Sequence, residues 1–182
     1  MNRVTCSSHL PILAELVSIG TIKNVLEFGA GLYSTPFFLK WCNKVTSIET
    51  NNKWFTRLVK QLGDAINLDM HYVNQEMVLH YFSNSIVLYD LIFIDTVNKI
   101  RRDLVKSSIR CTSNIILHDS QLPFLNKIEL KGYTKFVFCQ CPIKYPNGKR
   151  PWTTLFTKEE IVKNHFRMTN ELDLYKRHIT VW

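Results

Sequence analysis

Residues 25–38 read VLEFGAGLYSTPFF. The run Val25-Leu26-Glu27-Phe28 is apolar but for one carboxylate, and it stops at Gly29-Ala30-Gly31 before a helix-like segment begins. Glycines at the end of a buried strand allow tight, positive-φ turns, and they let a ligand approach where a Cβ would collide. In an open α/β sheet that is where ligands bind, at the carboxyl ends of strands where the winding reverses. The spacing G-x-G-x-x-S departs from the dinucleotide fingerprint, because Ser34 stands where a third glycine or alanine is wanted. Ser34 is read instead as the N-cap of the next helix, with Pro36 in its first turn. The bland alternative is a strand-to-helix turn with nothing bound.

Outward from this stretch, short apolar runs alternate with helical ones. Strands are expected at NVLEFG (24–29), KVTSIE (44–49), MHYV (70–73), YDLIFID (89–95) and SNIILHD (113–119). Between them STPFFLKWC, NKWFTRLVKQLG, EMVLHYF and NKIRRDLVKSSI carry apolar residues at three- and four-residue spacing, the period of a helix. Apolar strands separated by helices argue for a parallel sheet covered on both faces. After residue 130 the rhythm changes: YTKFVFCQC and WTTLFT are joined by PIKYPNGKRP with no helix between. That is an antiparallel hairpin with a long basic loop. A capping box, Thr157-Lys158-Glu159-Glu160, predicts a last helix. The fold class is therefore α/β: a doubly wound, mostly parallel seven-stranded sheet closed by a C-terminal antiparallel hairpin. One domain is expected over 1–182, with an N-terminal helix in 1–20, the core in 21–157, and a helix and tail in 158–182.

With 182 residues, 46% of them hydrophobic, the chain is long enough for an ordinary globular core. No apolar run reaches the roughly 18–20 residues of a membrane span. The N-terminal apolar patch is interrupted by Glu15 and reads as a first helix rather than a signal peptide. Five cysteines without framework or zinc spacing read as free thiols, which suits a reducing cytoplasm. The net charge of +8 is unevenly placed: residues 1–95 hold 7 Lys/Arg against 8 Asp/Glu, and residues 96–182 hold 16 against 7. Such asymmetry points to an anionic partner for the second half, or to a solvated basic surface.

Glu49 ends the second strand, 18 residues after Gly31, where an acid accepts hydrogen bonds from ribose hydroxyls. An adenosine-bearing cofactor is favoured, and no phosphate-gripping G-x-x-x-x-G-K-S/T is present. Glu27-Phe28-Gly29-Ala30-Gly31, SIE ending at Glu49 and YDLIFID ending at Asp95 resemble the nucleotide-binding motifs of class I S-adenosylmethionine-dependent methyltransferases. The resemblance covers residues 9–157 and includes that family's Rossmann-like sheet with its antiparallel last strand. More narrowly, HLPILAEL, EFGAGLYSTPFF, IFID…RRD, IILHDS and RPWTTLFTK are similar to small, stand-alone bacterial and phage methyltransferase-like proteins. The resemblance implies that Gly29, Ala30, Gly31 and Ser34 underlie the methionine end of S-adenosyl-L-methionine and that Glu27 organises the loop. It further implies that Glu49 holds the ribose, Asn74 and Gln75 contact the adenine, and Asp95 borders the cofactor. Thr96 departs from the family, whose fourth strand often ends IDG or IDH.

Methyl transfer is an in-line displacement, so the protein aligns a nucleophile and often removes its proton. Asp95 and the pair His118-Asp119 end the fourth and fifth strands, and His118 is read as a general base oriented by a carboxylate. The alternative is structural, with Asp119 capping the next helix. Metal-dependent catechol-type relatives bind magnesium through an Asp after strand four and an Asp-Asn pair after strand five. Here the second pair is His-Asp, which leaves hard Mg²⁺ only two carboxylates, so no metal is expected and Mg²⁺ is the less favoured choice. His9 and Arg101 are substrate-binding candidates: His9 opens the first helix, and Arg101, with Arg102, could grip a carboxylate or phosphate. Lys144, Lys149, Arg150 and Trp152 mix basic and aromatic character, as nucleic-acid surfaces do. Three functions follow: methyl transfer to oxygen or nitrogen of a small, anionic or sugar-like acceptor; a nucleic-acid methyltransferase using the basic half; or a non-catalytic cofactor- or partner-binding protein. No membrane partner is expected, and the oligomeric state is open.

Overall fold

The computed structural model describes residues 8–82, 87–142, 144–145 and 147–179. Residues 1–7, which include Cys6, and the end of the tail, 180–182, lie outside the described residues. Seven strands form one sheet: β1 (Asn24–Phe28), β2 (Lys44–Glu49), β3 (Leu68–Tyr72), β4 (Leu91–Ile94), β5 (Asn114–His118), β6 (Thr134–Phe138) and β7 (Thr153–Thr157). Their order is β3-β2-β1-β4-β5-β7-β6. The first five are parallel neighbours, and β7 runs antiparallel to both β5 and β6. The winding reverses between β1 and β4, directly beyond the Gly29 turn.

Side chains of the central strands alternate between two cores, as the period of two requires. Val25, Leu91, Phe93, Ile116 and Leu155 face one core with α1 (Leu10–Ser18), α2 (Ser34–Trp41), α6 (Glu160–Met168) and α7 (Glu171–Ile179). Leu26, Ile92, Ile94, Ile115, Leu117 and Phe156 face the other, with α4 (Asn98–Ser108) and the short α5 (Pro123–Asn126). Burial on both faces is why these strands read as unbroken apolar runs. The remaining helix, α3 (Asn52–Leu62), lies against β2 and β3 and buries only Leu58 fully.

Three local expectations are corrected. EMVLHYF is not an α-helix but two 3₁₀ turns, Gln75–Met77 and Leu79–Phe82. Val78 is buried there while Met77 is exposed, and a single anchor does not supply the packing a short helix needs. Ser34 is the first helical residue of α2 and not its cap; Tyr33 holds the cap position without a side-chain bond. The capping box does not form, because Thr157 belongs to β7. Its hydroxyl donates to Asn114 Oδ1 at 2.6 Å and accepts from the Glu159 N–H at 3.1 Å, and α6 begins at Glu160. Cys42, Cys111, Cys139 and Cys141 are free thiols. No helix among the described residues is long and apolar enough to cross a membrane.

Candidate active site

The carboxyl ends of β1, β2 and β4 open onto a cleft of about 400 Å³. Its floor is the turn after β1. Gly29 has φ +88°, and a Cβ there would lie 2.0 Å from the Asp95 carbonyl oxygen. The crowding follows from the sheet: the Gly29 amide donates to the Ile48 carbonyl and the Asp95 amide to the Phe28 carbonyl, each at 2.8 Å, drawing three strand ends together. Gly31 does not share the expected positive φ. A Cβ at Gly31 would meet the Ser34 hydroxyl at 2.7 Å, a side-chain atom that can turn away.

Glu27 lies fully buried beneath this loop. Its Oε2 accepts from Ser47 Oγ at 2.6 Å and from Thr35 Oγ1 at 2.7 Å, and Thr35 Oγ1 in turn accepts from the Gly31 amide at 3.0 Å. Ser47 is the register partner of Glu27 on β2, so the two side chains share a face. Burial pushes the Glu27 carboxyl up to about 7, and the hydroxyls of Ser34, Ser47 and Thr35 pull it back. Its Oε1 is buried and makes no hydrogen bond among the described residues.

Glu49 reaches the cleft from the end of β2. Its Oε1 accepts from the Thr50 and Asn51 amides, both at 2.7 Å, which fixes the carboxylate against its own turn. Burial raises its pKa, and these two amides oppose the rise. Asn51 caps α3 by accepting from the Trp54 amide at 3.1 Å. That cap places the Trp54 indole across the cleft, where Nε1 donates to the Ala30 carbonyl at 2.7 Å. Sequence reasoning missed Trp54, Thr35 and Ser47. Ser47, a hydroxyl inside an apolar strand beside a strand-end acid, carried a readable signal; Trp54 carried none.

Asp95, Thr96 and His9 form the opposite wall of the cleft. Arg101 is not free to bind an acceptor. It is 6% exposed and spends its guanidinium inside the protein: Nε donates to the Thr96 carbonyl and Nη1 to the His118 carbonyl, each at 2.5 Å, and Nη2 lies 3.1 Å from Asp95 Oδ1. The expectation that it grips substrate is corrected, because a buried cation needs all these partners to offset its lost hydration. Arg102 is exposed on the same helix.

His118 is 2% exposed and does not line the cleft. Its Nδ1 pairs with Thr153 Oγ1 at 3.1 Å, its Nε2 lies 3.4 Å from Ser8 Oγ, and Asp119 Oδ1 is 3.6 Å away. Burial holds its pKa down to about 4, so the ring is neutral at pH 7. The His9 ring packs edge-on between it and the cleft side, with centroids 4.7 Å apart. Burial and the His118 ring push His9 to about 3. Asp119, with φ +54°, is the one non-glycine residue in the left-handed region among those described. It accepts a short hydrogen bond from the Tyr145 hydroxyl and does not cap α5, whose cap position is Leu122. Asn74 and Gln75 do not line the cleft; the Asn74 side chain accepts from the Glu76 amide of its own turn.

Known proteins share this architecture. The N-methyltransferase NodS from Bradyrhizobium japonicum superposes with a TM-score of 0.69 at 15% identity, covering 87% of this chain and 98% of that one. An O-methyltransferase from Bacillus cereus, solved in complex with S-adenosylhomocysteine, gives 0.64 at 15% identity over 84% and 80%. The fold is that of the S-adenosylmethionine-dependent methyltransferases. An rRNA methylase from Streptococcus thermophilus has the same fold, with a TM-score of 0.59 at 14% identity over 82% and 97%. No family model and no curated protein matches the sequence. Within the methyltransferase fold, the Gly29 turn and Glu49 occupy the mouth of the sheet at its switch point.

Proposed function

We propose that this protein transfers the methyl group of S-adenosylmethionine to an oxygen or nitrogen of a small acceptor. The observation that carries the reading is one cleft lined by both the Gly29–Gly31 turn and the Glu49 carboxylate. The backbone at Gly29 and Gly31 leaves room for the methionine end. Glu27 acts from beneath, holding the Gly31 amide through Thr35. Glu49 has one oxygen tied to its own turn and accepts ribose hydroxyls with the other. Trp54 closes the wall beside it. The cleft volume, about 400 Å³, lies within the range of small-molecule sites.

The acceptor enters against Asp95 and His9. His118, behind His9 and neutral, positions that wall and does not line the cleft, so the general-base role expected of it is not part of this reading. Asn74 and Gln75 leave the cofactor assignment, and the Thr50-Asn51 turn takes their place at the adenine end. The solved O- and N-methyltransferases of this fold support transfer to oxygen or nitrogen. Calorimetry with S-adenosylhomocysteine tests the cofactor: micromolar binding that Glu49→Ala weakens is expected, and no binding to the parent protein overturns the reading.

A second reading is a nucleic-acid acceptor. Lys144 and Lys149 are exposed on the β6–β7 loop, which Tyr145 ties down beside Asp119, and an rRNA methylase shares the fold. With Arg101 buried and the half-buried Arg150 donating to the Cys141 carbonyl, that track rests chiefly on Arg102 and the loop lysines.

A further inference from the structure

We propose that His9, Asp95 and His118 form a binding site for a single divalent transition-metal ion. Each offers one ligand atom, and the three atoms lie within 4.8 Å of one another. The sheet builds this meeting. Ile94 pairs with Leu117, so the next residues, Asp95 and His118, stand side by side at the strand ends. Phe93 and Ile116 show that this side of each strand faces α1. His9 is the N-cap of α1 and packs on Phe93, with ring centroids 5.0 Å apart. Three separate segments thus deliver two imidazoles and one carboxylate to one point.

A second observation asks for an occupant. His9 is 2% exposed, yet neither ring nitrogen has a hydrogen-bond partner among the described residues. A buried polar group left unpaired costs roughly 1–3 kcal/mol, and such an orphan in a native protein calls for a water or an ion. An imidazole that is not protonated offers one ring-nitrogen lone pair to an ion. The surroundings already orient the ligands, as outer partners of metal sites do. Thr153 engages His118 Nδ1, while Nε2 has only a long 3.4 Å contact with Ser8 Oγ, which an ion would displace; Arg101 engages Asp95 Oδ1, leaving Oδ2. Asp119 Oδ1, 3.6 Å from His118 Nε2, adds negative charge nearby.

The ligand chemistry selects the ion. Mg²⁺ demands an octahedron of oxygens, whereas imidazole with carboxylate suits zinc, iron, cobalt or nickel. Bonds of about 2.0–2.1 Å to zinc hold ligand atoms roughly 3–4 Å apart, so groups now within 4.8 Å of one another close by up to roughly 1–2 Å on binding. The site borders the cleft through Asp95 and His9, and it does not depend on the methyl-transfer reading.

The full chain, stripped with chelator and dialysed, is titrated with Co²⁺ by visible absorption and with Zn²⁺ in competition. One equivalent is expected. Loss of an outer partner already costs 10–100-fold in metal affinity, so His9→Ala and His118→Asn should each weaken binding by at least about a hundredfold. His80→Asn, an exposed histidine elsewhere, should leave it unchanged. X-ray absorption on the zinc-loaded parent protein should show two imidazoles, a readout that needs no variant to fold. Failure to take up either ion, undiminished binding by a folded His9→Ala protein, or an oxygen-only shell overturns the site. Calorimetry with S-adenosylhomocysteine on the same metal-free sample separates the two readings: cofactor binding without metal uptake sinks this site and leaves the function standing, and the reverse does the opposite.

Discussion

The indole of Trp54 donates to the Ala30 carbonyl at 2.7 Å, so the first turn of α3 is bolted to the loop after β1. This single bond joins the loop expected beneath the methionine to the turn that carries Glu49. Trp54→Phe keeps the ring and removes the donor. A neutral hydrogen bond contributes about 0.5–1.5 kcal/mol net to stability, so the melting temperature should fall by a few degrees, and affinity for S-adenosylhomocysteine should fall by up to about tenfold. Equal affinity in calorimetry would show that the bolt does not matter for binding.

The two glycines of the turn should respond differently to alanine. At Gly29 the new Cβ meets backbone at 2.0 Å in a left-handed conformation, and neither strand end can yield. Gly29→Ala should destabilise the fold by more than the roughly 1–3 kcal/mol of a strained backbone alone. Gly31→Ala meets no backbone closer than 3.9 Å but displaces the Ser34 hydroxyl that supports Glu27, so its cost should be about 1–3 kcal/mol and below that of Gly29→Ala. Urea midpoints for the two variants decide it; equal shifts would refute the distinction.

Arg101 ties β4 to β5 and should behave as a structural residue. Arg101→Met leaves the Thr96 and His118 carbonyls and the Asp95 carboxylate without their shared donor. Breaking a buried pair from one side costs about 3–5 kcal/mol. A large drop in urea stability is expected, whereas a variant as stable as the parent would return Arg101 to the list of acceptor-binding residues.

Glu27 should leave a signature in stability against pH. Its folded carboxyl is raised from 4.5 to about 7, so the folded state holds the proton more tightly. The stability this contributes is fully present below pH 4.5 and lost as pH rises through 7. His9 and His118, lowered from 6.5 to about 3 and 4, act in the opposite direction below 6.5. The parent profile is therefore partly cancelled, and the difference from Glu27→Gln isolates the carboxyl. Parent minus variant should decline between pH 4.5 and 7, by a few kcal/mol at most. A flat difference would mean that Glu27 titrates normally.

The nucleic-acid reading stands or falls on salt. If Lys144, Lys149 and Arg102 bind a phosphate backbone, affinity for a single-stranded RNA should drop steeply between low and physiological salt. Replacing both lysines with alanine should lower that slope by about 1–2 in logarithmic terms. No binding at low ionic strength leaves the small acceptor alone.

Much of this was written in local patterns. The alternation of buried strands and helices, the glycine turn after β1, the acid ending β2 and the hairpin without a helix are all short-range features. Strand length and period follow from burial, and burial on both faces leaves an unbroken apolar run. KVTSIE was readable to the residue for that reason. Glu49 was legible as well, because a strand-end acid after a glycine turn is a matter of spacing.

The tertiary structure decided what depends on register and on the far end of a long side chain. Arg101 looked like a surface cation on an exposed helix face, and only the adjacency of β4 and β5 buries it. His118 looked like a base beside a carboxylate. Its neighbours are set instead by Thr153, its partner on antiparallel β7, and by His9 on α1, neither close to it in sequence. Sequence spacing governs what a strand or helix presents within a few residues. Which groups meet across strands is fixed by pairing and packing, and that is why the glycine turn and Glu49 at the cleft were readable and the opposite wall was not.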